Sequence, residues 1–176
     1  MSIPNFITLG RLLLVPAVVW AISDHQMMLA FVLFVIAGVS DAVDGFLAKR
    51  FGMATELGAY LDPLADKALL VSIYLTLALL GQIPAWITIL VVFRDIMIVG
   101  AIMLSGVLEK PVTIRPLRVS KLNTTAQIVF AALVLGSLGF GLTLGSVVTL
   151  AMYTTAALTI VSAAAYLREW MRHMAS

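Results

Sequence analysis

Four aspartates lie close together in a strongly apolar chain. Asp41 and Asp44 are three residues apart, and Asp62 and Asp66 are four residues apart, spacings that place each pair on one side of a helix. Carboxylates inside apolar helices are costly and need partners or a polar cavity. Because four carboxylates repel one another, a cation must neutralise them. Hard oxygen ligands in this number suit Mg²⁺, Mn²⁺ or Ca²⁺ rather than zinc, so the sequence predicts a divalent-metal site.

The composition places these acids in a membrane protein. Of the 176 residues, 62% are hydrophobic and 11% are charged, whereas a soluble domain is about half apolar and about a quarter charged. The absence of cysteine excludes disulfides and thiolate chemistry, and two histidines are too few for a histidine-based metal site. The net charge is +2, but the basic residues fall between apolar segments, which favours a membrane orientation signal over nucleic-acid binding.

Six apolar segments are long enough to cross a bilayer, which takes about 20 residues each. They are Ile3–Ile22, Met27–Lys49, Glu56–Leu80, Pro84–Leu108, Arg118–Gly139 and Ser146–Trp170. The segments are long and lack strict alternation, so we predict helices rather than strands. The predicted fold class is all-α, a single polytopic domain over residues 1–176 with six transmembrane helices. The first segment lacks a basic leader and a cleavage site, so we expect it to be retained as a span.

Lysine and arginine predict the orientation of this bundle. The first, third and fifth loops contain neither residue, and the opposite side carries Lys49, Arg50, Lys110, Arg115, Arg118, Lys121, Arg168 and Arg172. This bias puts both termini in the cytoplasm, and the expected location is a bacterial-type inner (cytoplasmic) membrane. The second and third segments are then antiparallel and joined by a short cytoplasmic turn. All four carboxylates are therefore expected at a similar depth, facing the cytoplasm.

The aspartates belong to a longer motif. Its two halves, separated by eight residues, read Asp41-Ala-Val-Asp44-Gly45-Phe-Leu-Ala48-Lys49 and Gly58-Ala-Tyr-Leu-Asp62-Pro-Leu-Ala-Asp66. This run resembles the signature of the CDP-alcohol phosphotransferase family, D-x2-D-G-x2-A-R-x8-G-x3-D-x3-D, at every fixed position but one. Lys49, followed by Arg50, stands where the family has arginine, and lysine acts as a point charge rather than a bidentate ligand. The six-segment layout extends the similarity over nearly the whole chain.

The resemblance implies a reaction and a division of labour. Such enzymes move a phosphatidyl or similar group from a CDP-linked donor to an alcohol and release CMP. It implies that Asp41, Asp44 and Asp62 bind one or two Mg²⁺ or Mn²⁺ ions, and that Asp66 is the catalytic base and a further candidate ligand. It also implies a nucleotide-binding surface made of Asn5, Thr8, Arg11, Asp41, Gly45, Ala48, Lys49 and Gly58. Homodimers are common among such relatives.

The residues alone leave other interpretations open. The four acids are also compatible with an ion path or a structural metal clamp, and a small cation transporter is the alternative class of function. Gly45, Ala48 and Gly58 are typical of close helix packing as well as of a ligand surface. The spacing of Asn5, Thr8 and Arg11, near one side of the first helix, also fits a capped entry turn.

Charged residues in the second half of the chain are further candidates. Arg94 and Asp95 lie near the middle of the fourth segment, where a charge indicates a functional site or a buried structural pair that reaches the acids. Arg115, Arg118 and Lys121 are spaced by three and are candidate ligands for a phosphate of the acceptor. Lys121 is expected to point into the bundle. Positive-inside bias and contact with anionic headgroups explain the same three residues.

The stretch from Ser120 to Gln127 favours one acceptor. It resembles the S-K-x-N-T-x2-Q stretch of CMP-forming cardiolipin synthases, whose acceptor is phosphatidylglycerol. Phosphatidylglycerophosphate synthases, which use glycerol 3-phosphate, often carry Gly-Lys-x-Lys-Thr there. Asn123 in place of a second lysine leaves less positive charge for a small dianionic acceptor. The resemblance therefore favours transfer from CDP-diacylglycerol to phosphatidylglycerol, with glycerol 3-phosphate as the alternative.

Overall fold

A computed structural model of the chain describes the backbone of residues 3–51, 56–107 and 118–175, and the side chains of residues 8–43, 65–100 and 118–172. The described backbone forms helices and no strand, in the order α1 (Ile3–Ser23), α2 (Met27–Phe51), α3 (Glu56–Leu79), α4 (Ala85–Val107), α5 (Arg118–Phe140) and α6 (Gly145–Ala175). Each predicted segment corresponds to one helix. The largest difference is the end of α6, at Ala175 rather than Trp170. The all-helical prediction is confirmed.

Within the described residues, two helices are long and apolar enough to cross a membrane, Arg118–Phe140 and Gly145–Arg172. Shorter apolar stretches run over Thr8–Ser23 and Met27–Val43. Large aliphatic side chains such as Leu79 and Leu150 are exposed on the helix surfaces, as expected where lipid rather than water is the solvent. The number of spans and the orientation of the termini stay predictions.

Three helices end in the same type of turn. α1, α3 and α5 are each followed by a residue in the left-handed region: His25 (φ 59°), Gly81 (φ 69°) and Gly141 (φ 63°). The next amide then donates to a carbonyl five residues back, at 2.8 Å for Gln26 N to Ala21 O and at 2.9 Å in the other two turns. This is the Schellman motif. Glycine adopts the left-handed conformation without strain, so among these three turns the backbone strain is greatest at His25.

One compact unit comprises Met1–Ile83 and Ala131–Leu144. In it, α1 packs against both α2 and α3, and their apolar faces form a core that includes Ala21, Ala37 and Ile73. The end of α5 lies against the start of α2. A Cβ atom added to Gly139 would lie 2.9 Å from the Met28 Cα, so this close approach requires glycine.

A second compact unit comprises Pro84–Phe130 and Gly145–Ser176. Here α4 packs against α6, and Trp86 stacks on Tyr153 with ring centroids 6.1 Å apart. Ile87 and Val91 supply buried apolar surface on α4. Much of the remaining interior of this unit is polar, and it is described with the functional site. The single domain predicted over residues 1–176 stays a prediction.

Candidate functional site

One arginine joins two of the four predicted acids. Arg11 Nη1 lies 2.6 Å from Asp41 Oδ1 and donates a hydrogen bond to Asp66 Oδ1. The three residues come from α1, α2 and α3, and they meet because α1 packs against both other helices. Asp41 and Asp66 therefore converge, as the antiparallel arrangement of α2 and α3 predicts. The roles assigned to these two carboxylates stay predictions.

Burial explains why this arginine needs acidic partners. The Arg11 side chain is 1% exposed, whereas those of Asp41 and Asp66 are 44% and 42% exposed. A buried guanidinium is costly unless it is paired and hydrogen-bonded. The two carboxylates remain accessible. Accessible carboxylate oxygens of this kind can bind a divalent cation.

Most of the other predicted residues of this site lie outside the described side chains. They are Asn5, Asp44, Gly45, Ala48, Lys49, Gly58 and Asp62. Among the side chains that are described, no group of three or more His, Asp or Glu residues could hold a metal ion. The four-aspartate metal site therefore stays a prediction. Thr8, one turn before Arg11 on the same side of α1, is buried.

Arg94 is the centre of a second polar cluster, in the other unit. Its Nη1 donates to Asp95 Oδ1 at 2.7 Å, and its Nη2 donates to the hydroxyls of Ser120 and Ser162, each at 2.7 Å. Its Nε also reaches Ser162 Oγ, at 3.2 Å, and its guanidinium carbon lies 5.6 Å from the centroid of the Tyr166 ring. These contacts connect α4 to α5 and α6.

A row of buried polar side chains extends from this cluster between α5 and α6. Asn123 accepts a hydrogen bond from the Thr159 hydroxyl at 2.8 Å, and Thr155 donates to the Ala126 carbonyl at 3.2 Å. Asn123, Thr155 and Thr159 are fully buried. Hydrogen bonds of this kind hold helices together where apolar packing alone gives little preference for one register.

The basic residues at the start of α5 are accessible. Arg118 and Lys121 are both exposed, because they lie on the side of the helix opposite the buried Asn123. The expectation that Lys121 points into the bundle stays a prediction. Arg115, the third of the predicted acceptor ligands, lies outside the described residues.

Comparison with known proteins decides which family this arrangement represents. The model of the CDP-alcohol phosphatidyltransferase family matches residues 1–162. The chain belongs to that family. The match includes the stretch of Asp41 to Asp66 and, of the polar cluster around Arg94, every residue except Tyr166, and it confirms the family recognised from the aspartate motif.

Individual relatives carry two kinds of name. A CDP-diacylglycerol–glycerol-3-phosphate 3-phosphatidyltransferase from Bacillus subtilis (strain 168) is 31% identical, with 96% of this chain and 95% of that protein covered. A probable phosphatidylglycerophosphate synthase from Mycobacterium tuberculosis (strain H37Rv) is 39% identical over 101 residues, 54% of this chain and 48% of that protein. Human cardiolipin synthase (CMP-forming) is 31% identical, with 74% of this chain and 49% of that protein covered. The chain thus spans about half the length of the latter two family members.

Sequence reasoning missed the partners of both buried arginines in this family member. Arg11 was assigned to the nucleotide surface and not to Asp41 and Asp66. Arg94 was considered with Asp95, but not with Ser120, Ser162 or Tyr166. The hydroxyls could have been found from their helical spacing, since Ser162 follows Thr155 and Thr159 on one side of α6 at intervals of three and four residues.

Proposed function

We propose that this family member is a membrane-embedded transferase that moves the phosphatidyl group of CDP-diacylglycerol to an alcohol and releases CMP. The observation that carries the proposal is the meeting of Asp41 and Asp66 at Arg11, within the stretch that resembles the family signature. An ion path is less well supported, because the family whose model matches residues 1–162 is one of phosphatidyltransferases.

The residues that are described suit a divalent ion. The family generally depends on divalent metals, and Asp41 and Asp66 offer accessible carboxylate oxygens. Oxygen donors of this type favour Mg²⁺ or Mn²⁺. We assign Asp41, Asp44 and Asp62 as ligands, with Asp66 as a further candidate. A bound ion would supply positive charge to the diphosphate of the donor and to the departing CMP.

Asp66 is proposed as the general base. It accepts the proton of the acceptor hydroxyl, whose oxygen then forms a bond to the phosphorus of the phosphatidyl group. The bond from that phosphorus to the CMP oxygen breaks, and CMP leaves with the electron pair. The hydrogen bond from Arg11 holds the Asp66 carboxylate in one orientation beside Asp41. A fixed base of this kind needs little reorganisation when the acceptor arrives.

We propose that the site for the cytidine nucleotide is built from Asn5, Thr8, Arg11, Asp41, Gly45, Ala48, Lys49 and Gly58. Arg11 and Thr8 are almost fully buried, so Arg11 acts on the nucleotide mainly through the two carboxylates that it orients. Gly45, Ala48 and Gly58 allow a ligand to approach the backbone closely. Lys49 offers a point charge for a phosphate where the family has arginine.

Phosphatidylglycerol is the proposed acceptor, which would make the product cardiolipin. The stretch Ser120 to Gln127 supports this choice by its likeness to cardiolipin synthases. Asn123 is fully buried and bonded to the Thr159 hydroxyl. An uncharged amide suits this contact, because a buried lysine would need a charged partner. The proposed acceptor-binding residues are Arg115, Arg118 and Lys121.

Glycerol 3-phosphate is the second candidate acceptor, and a specific observation favours it. The Bacillus subtilis relative whose name contains this substrate matches along 96% of this chain and 95% of its own. The relatives named cardiolipin synthase are matched over about half their length. Arg118 and Lys121 are both exposed and cationic, which suits a small phosphate as well as a lipid phosphate.

An assay of CMP release tests the proposal. Purified protein in detergent is incubated with CDP-diacylglycerol, with Mg²⁺ or Mn²⁺, and with either phosphatidylglycerol or glycerol 3-phosphate. We expect CMP and cardiolipin with the first acceptor. Efficient CMP release with glycerol 3-phosphate alone would support the second candidate instead. If neither these acceptors nor other alcohols gave CMP, the transferase proposal would be wrong.

A further inference from the structure

The guanidinium of Arg94 is buried and held by four hydrogen bonds. Each of its three nitrogen atoms donates to an acceptor on α4, α5 or α6, and the residue is 3% exposed. A substrate phosphate has no access to a group in this position. Whatever Arg94 contributes to function, it contributes through the residues that it holds.

Of the hydrogen bonds that Arg94 makes, the one to Ser120 has the clearest functional consequence. Ser120 lies on α5 between Arg118 and Lys121, and its hydroxyl accepts a hydrogen bond from Arg94 Nη2 at 2.7 Å. A charge-assisted bond to a buried arginine therefore restrains the turn that carries Arg118 and Lys121.

The other contacts of Arg94 make it a rigid support. Asp95 balances its charge at 2.7 Å, Ser162 binds it from α6, and the Tyr166 ring lies 5.6 Å from its centre. Lysine could not replace this arrangement, because a single ammonium cannot donate along the three directions of the guanidinium plane. The buried bond between Asn123 and Thr159 adds a second restraint on α5, close to Ser120 in sequence.

We propose that Arg94 is a positioning residue for acceptor binding. Through Ser120, it holds the first turn of α5 so that Arg118 and Lys121 keep one orientation toward an anionic phosphate. The expected effect on acceptor binding rests on the proposed function. The expected restraint of the first turn of α5 rests on the contacts of Arg94 alone. The two consequences can be tested separately.

Hydrogen–deuterium exchange of the full chain in detergent tests the structural consequence. We expect Ser120→Ala and Arg94→Lys each to speed amide exchange in residues 119–124 by about tenfold, the effect of losing one charge-assisted hydrogen bond. Ser137→Ala is the matched control. It removes a hydroxyl of the same helix that bonds only to the Val134 carbonyl, at 3.0 Å, so exchange in residues 119–124 should stay at the wild-type rate.

Steady-state kinetics test the functional consequence. We expect Ser120→Ala to raise the KM for the acceptor about tenfold, with the KM for CDP-diacylglycerol unchanged and kcat little altered. Arg94→Lys should have a larger effect of the same kind. If Arg94→Lys does not fold, Ser120→Ala still decides the matter, because it removes only a small hydroxyl.

The outcomes separate this inference from the proposed function. If amide exchange in residues 119–124 of Ser120→Ala kept the wild-type rate, the claim that Arg94 holds the start of α5 through Ser120 would be wrong. Faster exchange with an unchanged acceptor KM would show a purely structural role and would overturn the positioning of the acceptor. If the wild-type chain released no CMP with any acceptor, the proposed function would fail, while the exchange experiment would still decide whether Arg94 anchors α5.

Discussion

Arg11 is almost completely buried, whereas the carboxylates of Asp41 and Asp66 are half-exposed. We predict that Arg11→Gln lowers the free energy of unfolding by about 1–3 kcal/mol, because it leaves two like charges facing each other without their shared cation. Thermal unfolding of the purified variant in detergent measures this loss. Mn²⁺ should then raise the Tm of Arg11→Gln more than that of the wild type, since the unbalanced carboxylates bind the ion more tightly.

Arg168→Gln provides the control for this comparison. Arg168 is exposed on α6, so its loss should change the free energy of unfolding by no more than about 0.5 kcal/mol. The Mn²⁺ response of this variant should equal that of the wild type. If Arg11→Gln were as stable as Arg168→Gln, with or without Mn²⁺, the contact of Arg11 with Asp41 and Asp66 would contribute nothing to the free energy of unfolding.

Substitution of Asp66 can separate the binding of CDP-diacylglycerol from the catalytic step. We predict that Asp66→Asn reduces turnover by about 10²–10⁴-fold, the usual contribution of a general base, while binding of CDP-diacylglycerol largely survives. Asparagine keeps the shape of the side chain but cannot accept the acceptor's proton. Equilibrium binding of the donor and CMP release, measured on one preparation, test this. Asp41→Ala is the comparison, and an equal loss of donor binding in both variants would make Asp66 chiefly a metal ligand.

At the scale of the helices, close contacts depend on small residues. We predict that Gly139→Ala destabilises the protein by about 1–3 kcal/mol, as overpacking does, because the new Cβ would lie 2.9 Å from the Met28 Cα. Gly38→Ala is the matched control on α2, where an added Cβ meets no atom within 4 Å. Alanine is favoured over glycine in a helix, so the Tm of Gly38→Ala should be unchanged or raised. A Tm of Gly139→Ala equal to that of the control would contradict the contact.

In the turn after α1, we predict a substitution that stabilises the protein. His25 adopts φ 59°, a conformation that glycine reaches without strain. We therefore expect His25→Gly to raise the free energy of unfolding by about 1 kcal/mol, whereas Gly81→Ala, at φ 69°, should lower it by a similar amount. Paired thermal unfolding experiments decide this, and a Tm that falls in both variants would show that the turns tolerate no change at all.

The helices could be predicted more fully than the contacts between them. Long apolar runs interrupted by Gly, Pro and short polar stretches are enough to place α1 to α5 within one or two residues. α6 continues to Ala175 because the last turns remain helical after the hydropathy falls, and an apolar pattern cannot show this. The pairing of Arg11 with Asp41 and Asp66 depends on three helices from distant parts of the chain. A periodic spacing shows which side a residue faces, but not which helix lies opposite.

The whole molecule offers a direct test of topology, because the natural chain contains no cysteine. Single cysteines can therefore be introduced without a background signal. If both termini are cytoplasmic, Ser2→Cys and Ser176→Cys should react with a membrane-impermeant maleimide only after the cells are opened. Asp24→Cys and Thr143→Cys, in the first and fifth loops, should react in intact cells. Labelling of all four positions from one side would contradict the six-span arrangement.

The Arg11 bridge also bears on how the protein is made. Arg11 precedes Asp66 by 55 residues, so a ribosome working at about 5–20 residues per second completes the acidic partner roughly 3 to 11 seconds later. Until Asp41 is made, α1 carries a cation without either of its acids, and an unpaired arginine is costly to place in lipid. If α1 to α3 cross the membrane as predicted, we expect the insertion machinery to retain α1 until α2 and α3 follow it. The first three helices would then enter the bilayer together, as one biogenesis intermediate.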